Sequence, residues 1–526
     1  MKGTAVNRSV PRAVAIQHGR NPLLLIFVGI SIGLLQATLI IPARQGVEIV
    51  TIEAPSGTTS PQTPTSTAPL PADGTRAAPT GTDVGDEGQA VAGEAATTSI
   101  GEAAASPTSG EGATSPAAGA AGSAPAGGTL GPVQGITATE IHLGIGIPDL
   151  GALAALGPDY DFGDPQDHIE ALLAKWRDEG RLPVHGRDIV PFYRRYDIVG
   201  TDQQRAACKG WALDDKVFAV MAVNQFWAEG QCVTAEEGLP LITSLSTYAA
   251  TYEGTRDLYV DLQMSTERIV RNFAHWGHDM GHFEGRTIGI YYASGYDGIP
   301  IQDGFIDTMH QLGYEFEVEI TTDSGAYGSP SDNVAAQQFA ANDVDLALLF
   351  VSAINQTNFM QQAESQLYRP TYLVTDIISS TNDVATSTYP VAQYDGTYGL
   401  TNLRYGEESA GLPKSPEAAA CEDNYEAYSG KKIDYQSRPA EWLMLLSGCD
   451  EGEVVLQAFE RAGRDLNLQT FLDAIYQTTE LELGLHSPVT LRRDLLGGTS
   501  AMRTVQWHGD CQCFHAIGDF QSKYGQ

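Results

Sequence analysis

Thr201-Asp-Gln-Gln-Arg-Ala-Ala-Cys-Lys-Gly-Trp-Ala-Leu-Asp-Asp-Lys-Val-Phe-Ala-Val-Met-Ala-Val223 reads as a helix followed almost at once by a buried strand. Thr201 offers an N-cap hydroxyl for a helix over about Asp202–Leu213, and Val217–Val223 is an apolar run bounded by polar residues, the mark of a strand covered on both faces. The same alternation extends outward in both directions. Strands are predicted at Glu140–Ile147, Ile189–Tyr196 and Leu239–Thr243, with helices at about His168–Glu179 and Gln231–Glu237. A second series follows: helix Ser265 to about Trp276, strand Thr287–Tyr292, helix Ile301–Leu312, strand Tyr314–Thr321, helix Ser331–Ala341, strand Val344–Val351, helix Asn355–Gln366 and strand Thr371–Thr375. Strands alternating with helices specify an α/β protein with mainly parallel sheets, here two units in tandem. The closing part has predicted helices near Pro416–Tyr428, Ala440–Ala462 and Leu468–Gln477 and too few strand signals for a third sheet, so it is expected to pack back onto the first two units.

Before this head lies a tether. Leu23–Ile41 is an apolar run of about 19 residues, which at 1.5 Å per residue spans roughly 28 Å, a bilayer core. Lys2, Arg8, Arg12 and Arg20 precede it and only Arg44 follows closely, so residues 1–22 are expected to be a basic cytoplasmic tail and the head extracytoplasmic. An uncleaved transmembrane anchor is the expected reading; cleavage after Ala43 as a signal segment is the alternative, and would make the head secreted. A lipoprotein anchor needs a Cys just after the apolar run, whereas the first is Cys208. Residues 42–135 are rich in Ala, Thr, Ser, Pro and Gly, carry little apolar surface to offset ordering entropy, and are expected to form a disordered stalk.

The formal net charge of −34 argues against nucleic acid or anionic lipid as partners. All six cysteines fall in the head, and an even number outside the cytoplasm implies disulfides. Cys208 with Cys232 and Cys421 with Cys449 are the expected pairs, since each pair lies on or beside neighbouring helices. Cys511 and Cys513 are left for a local disulfide or two thiols.

Gly135-Ile-Thr-Ala-Thr-Glu-Ile-His-Leu-Gly-Ile-Gly-Ile-Pro148, the helix and strand quoted above, Gly238-Leu-Pro-Leu-Ile242 and Arg286-Thr-Ile-Gly-Ile-Tyr-Tyr-Ala-Ser-Gly-Tyr-Asp-Gly298 resemble the type I periplasmic-binding fold. More narrowly they resemble the branched-chain amino-acid-type solute-binding proteins of ABC importers. The resemblance covers about Ile136–Ala462 and rests on the order and spacing of elements. It implies two lobes, residues 136–262 with about 396–480 and residues 263–395 with about 481–526. They would close on a small-molecule ligand for an ABC permease, without a cofactor and without enzymatic chemistry. A membrane-tethered sensor or scaffold module of the same fold is the alternative.

Ligands of open α/β sheets sit beyond the carboxyl ends of the strands. The expected contacts are therefore Asn224, Gln225, Phe226, Thr243, Ser244, Ser246 and Thr247 in the first lobe, and Tyr296, Asp297, Asn355, Gln356 and Asp376 in the second. Amino-acid binders that this chain resembles present an acid after the third strand of the second lobe, where this chain reads Ser352-Ala-Ile-Asn-Gln-Thr357. An amide cannot neutralise a buried ammonium. Either Asp297 or Asp376 takes that role, or the ligand is an amide, a carboxylic acid or an aromatic.

Two clusters have metal-ligand composition. His275, His278 and His282 share a helical face, but Gly277 and Gly281 weaken the helix, and a solvated helix end is the expected reading. His508, Cys511, Cys513 and His515 offer soft and borderline ligands, with strand alternation placing Cys511, Cys513 and His515 on one side; a local disulfide or a pair of separate thiols is expected instead of zinc. No G-x-S-x-G elbow, H-E-x-x-H or Walker A loop occurs in the head. Gly144 and Gly146 imitate a dinucleotide fingerprint but lie inside a strand.

Overall fold

The computed structural model describes residues 133–151, 160–197, 201–223, 226, 229–244, 247–255, 257–294, 298–323, 329–377 and 380–525. The first alternating series builds a five-stranded parallel sheet in the order β2-β1-β3-β4-β5. Its strands are β1 (Glu140–Pro148), β2 (Asp188–Tyr196), β3 (Ala219–Ala222), β4 (Leu241–Thr243) and β5 (Tyr259–Asp261). The second series builds a sheet in the order β12-β11-β10-β9-β8-β6-β7. Here β6 (Ile288–Ala293), β7 (Val318–Thr322), β8 (Leu346–Phe350), β9 (Thr371–Thr375) and β10 (Tyr398–Thr401) run parallel. The hairpin β11 (Met502–His508) and β12 (Cys513–Gln521) extends that sheet antiparallel.

Helices α1 (Pro165–Asp178) and α2 (Thr201–Lys209) belong to the first lobe, and α3 (Thr266–Asp279), α4 (Asp307–Gln311), α5 (Pro330–Ala341), α6 (Ala353–Ser365), α7 (Asp383–Thr386) and α8 (Val391–Tyr394) to the second. The chain then returns to the first lobe as α9 (Pro416–Ser429), α10 (Pro439–Ala462) and α11 (Leu468–Ile475). Asn424 on α9 donates to the Ala171 carbonyl of α1 at 3.1 Å. At Gly452 a Cβ would sit 2.5 Å from Leu172, so the missing side chain is what lets α10 lie against α1.

Several helices depart from simple α geometry. The helix after Thr201 finishes as a π segment, Gly210–Asp215; the predicted helix at Gln231–Glu237 is a π segment over Cys232–Glu236; and that at Ile301–Leu312 opens as one over Ile301–Ile306 before α4. Tyr398–Thr401, expected in the first lobe, belongs to the second sheet, because β10 pairs with both β9 and β11. All six cysteines are bridged, Cys208 to Cys232, Cys421 to Cys449 and Cys511 to Cys513. The expected transmembrane run and the stalk up to residue 132 lie outside the described residues, whereas residues 133–135, expected in the disordered stalk, are held on the first lobe, with Gln134 donating to the Ala212 and Val217 carbonyls at 3.3 and 3.2 Å; among the described residues no helix is long and apolar enough to cross a membrane.

The glycines of β1 have a packing role. The fully buried indole of Trp211 lies over them: a Cβ on Gly144 would stand 2.9 Å from the ring, and one on Gly146 3.3 Å. Overpacking such a contact costs roughly 1–3 kcal/mol. Gly144→Val is therefore expected to lower the unfolding free energy by that amount in a denaturant titration, and an unchanged midpoint would mean that the indole is free to move aside.

Candidate functional site: the boundary between the lobes

The chain passes between the lobes at three places. It leaves the carboxyl end of β5 toward α3, leaves the carboxyl end of β10 toward α9, and returns between α11 and β11. The carboxyl ends of both sheets therefore border the opposite lobe. Isolated bridges tie the crossings together, Met264 with Gly497 and Leu403 with His486.

Each crossing is held by a buried ionisable side chain. Asp261 accepts the Gln263 N–H at 2.9 Å. Asp376 takes the Asn402 backbone N–H at 2.5 Å and its side-chain amide at 2.7 Å on one oxygen, and the Thr381 hydroxyl on the other. Asp450 on α10 accepts the N–H groups of Gly484, Leu485 and His486 at 2.7, 2.9 and 3.2 Å, and meets His486 Nδ1 at 2.7 Å. From the opposite lobe, Arg268 on α3 donates to the carbonyls of Leu496, Gly497, Thr499 and Gly525. Burial pulls the Arg268 guanidinium down to about 10, which leaves it charged at neutral pH, and pushes the Asp376 carboxyl up to about 6 against its hydrogen bonds.

At the end of β4 the hydroxyls of Thr243 and Ser244 are buried and have no hydrogen-bond partner among the described residues. Their segment sits against the crossings: His486 Nε2 lies 3.4 Å from the Ser244 carbonyl, and the Thr266 N–H donates to the Thr247 carbonyl at 3.0 Å. The Thr247 hydroxyl is spent on Thr251 at 3.1 Å. Across the boundary the Tyr160 hydroxyl meets Ser387 Oγ at 2.7 Å, and Tyr435, which precedes α10, donates to Asp383 on α7. The latter pair borders a cavity of about 500 Å³, lined also by Ser387, Ser409, Gln436 and the Cys511–Cys513 tip.

Three second-lobe candidates turn inward. Asn355 gives its amide to Asp332 at 2.7 Å and takes the Ser352 hydroxyl. Asp332, fully buried, also accepts from Tyr291, Asn358 and the Ser329 N–H. Gln356 donates to the Val351 carbonyl and Ser380 and accepts from Tyr389. Asp376 holds the second crossing. Phe226 is a core residue between Tyr196 and Trp211, at 5.0 and 5.3 Å between ring centroids. Asn224, Gln225, Ser246, Tyr296 and Asp297 lie outside the described residues.

The three helix-end histidines do not converge. His278 Nδ1 pairs with the Tyr314 hydroxyl at 2.8 Å, whereas His282, beyond the end of α3, packs on Trp276 and Tyr398. Cys511 stands in the turn before β12, not on the strand with Cys513 and His515. Tyr160, Ser387, Asp383 and Tyr435 were not anticipated from sequence: their contacts join residues 52 to 227 positions apart, with no local pattern to mark them.

Two lobes joined by three crossings, with strand ends at the boundary, can be set beside known proteins. Residues 183–512, more than half of the chain, match the family model described as periplasmic binding protein. The chain belongs to the periplasmic binding protein family. A comparison with curated proteins gives no match. Among solved structures this periplasmic binding protein is similar to a fatty acid ABC transporter substrate-binding protein from Thermomonospora curvata, at 18% identity and a TM-score of 0.56, covering 74% of this chain and 94% of that one. A leucine-binding protein from Thermotoga maritima matches at 14% identity and 0.55, covering 73% and 99%. An ABC transporter solute-binding protein from Rhodopseudomonas palustris, in complex with 3,4-dihydroxybenzoic acid, matches at 15% and 0.54, covering 73% and 98%. Identities this low establish the shared type I fold.

Proposed function

We propose that this periplasmic binding protein is an extracytoplasmic solute receptor that takes a small polar ligand between its lobes and delivers it to an ABC permease. The observation that carries the reading is the pair of buried, unpartnered hydroxyls at Thr243 and Ser244. Such groups cost stability until something accepts or donates to them. A ligand carboxylate or amide is the chemistry that would do so. Solute-binding proteins of this fold close by hinge motion, and the crossings at Asp261, Asp376 and Asp450 supply a defined axis for it.

A carboxylic acid or amide suits the site better than an α-amino acid. Asn355 and Gln356 stand where an ammonium partner would be, and both are committed within their own lobe. The ligands named for the similar structures, a fatty acid, leucine and 3,4-dihydroxybenzoic acid, share a carboxylate. The three disulfides support a location outside the cytoplasm. Leu23–Ile41 is the segment we assign as its membrane tether.

A thermal-shift screen of the head with fatty acids, aromatic acids, amides and amino acids tests the reading. A ligand at about 100 times its Kd adds about 2.7 kcal/mol. Ser244→Ala is expected to weaken that ligand by about 1 kcal/mol, roughly 5-fold, without destabilising the free protein, because the hydroxyl removed has no partner to lose. If no class stabilises the head, transport is abandoned and a tethered sensor or scaffold takes its place.

A further inference from the structure

The hairpin between β11 and β12 gathers two histidines and a disulfide at its tip. His508 pairs in register with Cys513, and Gln506 with His515, so His508, Cys513 and His515 share one face. The His508 and His515 rings stand 4.2 Å apart between centroids, and Cys511 Sγ lies 3.7 Å from His515 Nε2. One ligand atom from each of Cys511, Cys513 and His515 falls within 4.8 Å of the others, the one such His, Cys or carboxylate group found among the described residues.

The bridge itself contributes little as a staple. It joins residues two positions apart, so it removes little freedom from the unfolded chain. Cys511 is exposed, whereas Cys208, Cys232 and Cys421 are buried. An exposed bridge is open to attack by an external thiolate. The tip also lines the 500 Å³ cavity at the lobe boundary, which gives a cation an entry path.

We propose that reduction of Cys511–Cys513 creates a two-sulfur, two-imidazole zinc site made by Cys511, Cys513, His508 and His515. A thiolate of an external dithiol attacks one sulfur and frees the other cysteine as thiolate. The donor's second thiolate then displaces the first cysteine. The dithiol leaves as a cyclic disulfide, having supplied two electrons and two protons, and Zn²⁺ displaces the protons from both thiols as it binds. In tetrahedral zinc with Zn–S about 2.3 Å and Zn–N about 2.0 Å, sulfur and nitrogen ligands stand roughly 3.5 Å apart. Cys511 Sγ and His515 Nε2 are already close to that separation in the oxidised hairpin. Two thiolates with two imidazoles is a known structural zinc set.

The test uses the full chain, treated briefly with dithiothreitol, desalted without oxygen and titrated with Zn²⁺ against a chromophoric chelator. Mass mapping of alkylated cysteines identifies which bridge has opened. The expected result is one tightly held zinc per chain after reduction of Cys511–Cys513 and none in the oxidised protein, with Co²⁺ giving thiolate charge-transfer absorption. Cys511→Ser with Cys513→Ser abolishes both signals. His515→Gln, which keeps both cysteines should the double variant misfold, weakens binding by more than the roughly 10–100-fold typical of losing an outer-shell partner. Equal zinc in oxidised and reduced protein, zinc retained by the double variant, or a tip bridge that stays closed while the buried bridges open would each overturn the proposal.

Discussion

Asp450→Ala is expected to lower the unfolding free energy by roughly 3–5 kcal/mol, the range for removing one partner from a buried charged network. Its carboxylate is the shared acceptor for three consecutive backbone N–H groups, at Gly484, Leu485 and His486, and lies 2.7 Å from His486 Nδ1. Alanine offers no replacement acceptor, and leaving each buried donor unsatisfied costs about 1–3 kcal/mol before relaxation. Asp450→Asn keeps one carbonyl oxygen and should lose clearly less. Urea unfolding of both variants checks the order. A midpoint in Asp450→Ala equal to that of the parent would show that these N–H groups find other acceptors and that the third crossing is not held from the first lobe.

The second large effect is a dependence on pH carried by Asp383. Burial pushes its carboxyl from 3.8 up to about 7, opposed by hydrogen bonds from Tyr435 and the Phe514 N–H. The native state therefore binds this proton more tightly than the unfolded chain. Between about pH 4 and pH 7 stability falls as pH rises, by roughly 4 kcal/mol for a shift of this size. Asp376, lifted to about 6, acts in the same direction over a narrower window. Asp383→Asn removes the first contribution, so its stability curve across pH 4–7 should lie flatter than that of the parent by about that amount, and above it at pH 8. Chemical unfolding at pH 4, 5.5, 7 and 8 measures this. Parallel curves for parent and variant would mean that Asp383 ionises at its ordinary value. Because Tyr435 stands on the first-lobe side and Asp383 on the second, the same titration also changes a contact between the lobes.

How far this was legible in the sequence follows from chain separation and strand length. Parallel strands buried on both faces are continuous apolar runs, and Val217–Val223 and Val344–Val351 announce themselves for that reason. Tyr259–Asp261 and Tyr398–Thr401 are three and four residues long and give no periodic signal. Met502–His508 was hidden by Arg503, whose charge argues against a core strand. In the fold that guanidinium is buried against Glu407 at 2.8 Å and over the Phe520 ring at 4.2 Å. The site divides in the same way. Placing Thr243 and Ser244 at a strand end needs only the strand. Knowing that Asn355 turns to Asp332 needs the neighbouring helix, and the grip of Asp450 on His486 joins residues 36 apart.

None of the three disulfides links one lobe to the other: two lie among first-lobe helices, and the third stays within one hairpin of the second sheet. Oxidation can thus harden each half on its own without freezing the angle between them. Chemical staples set the shape of each shell, and the spacing of the two is left to the crossings and to the contacts across the boundary.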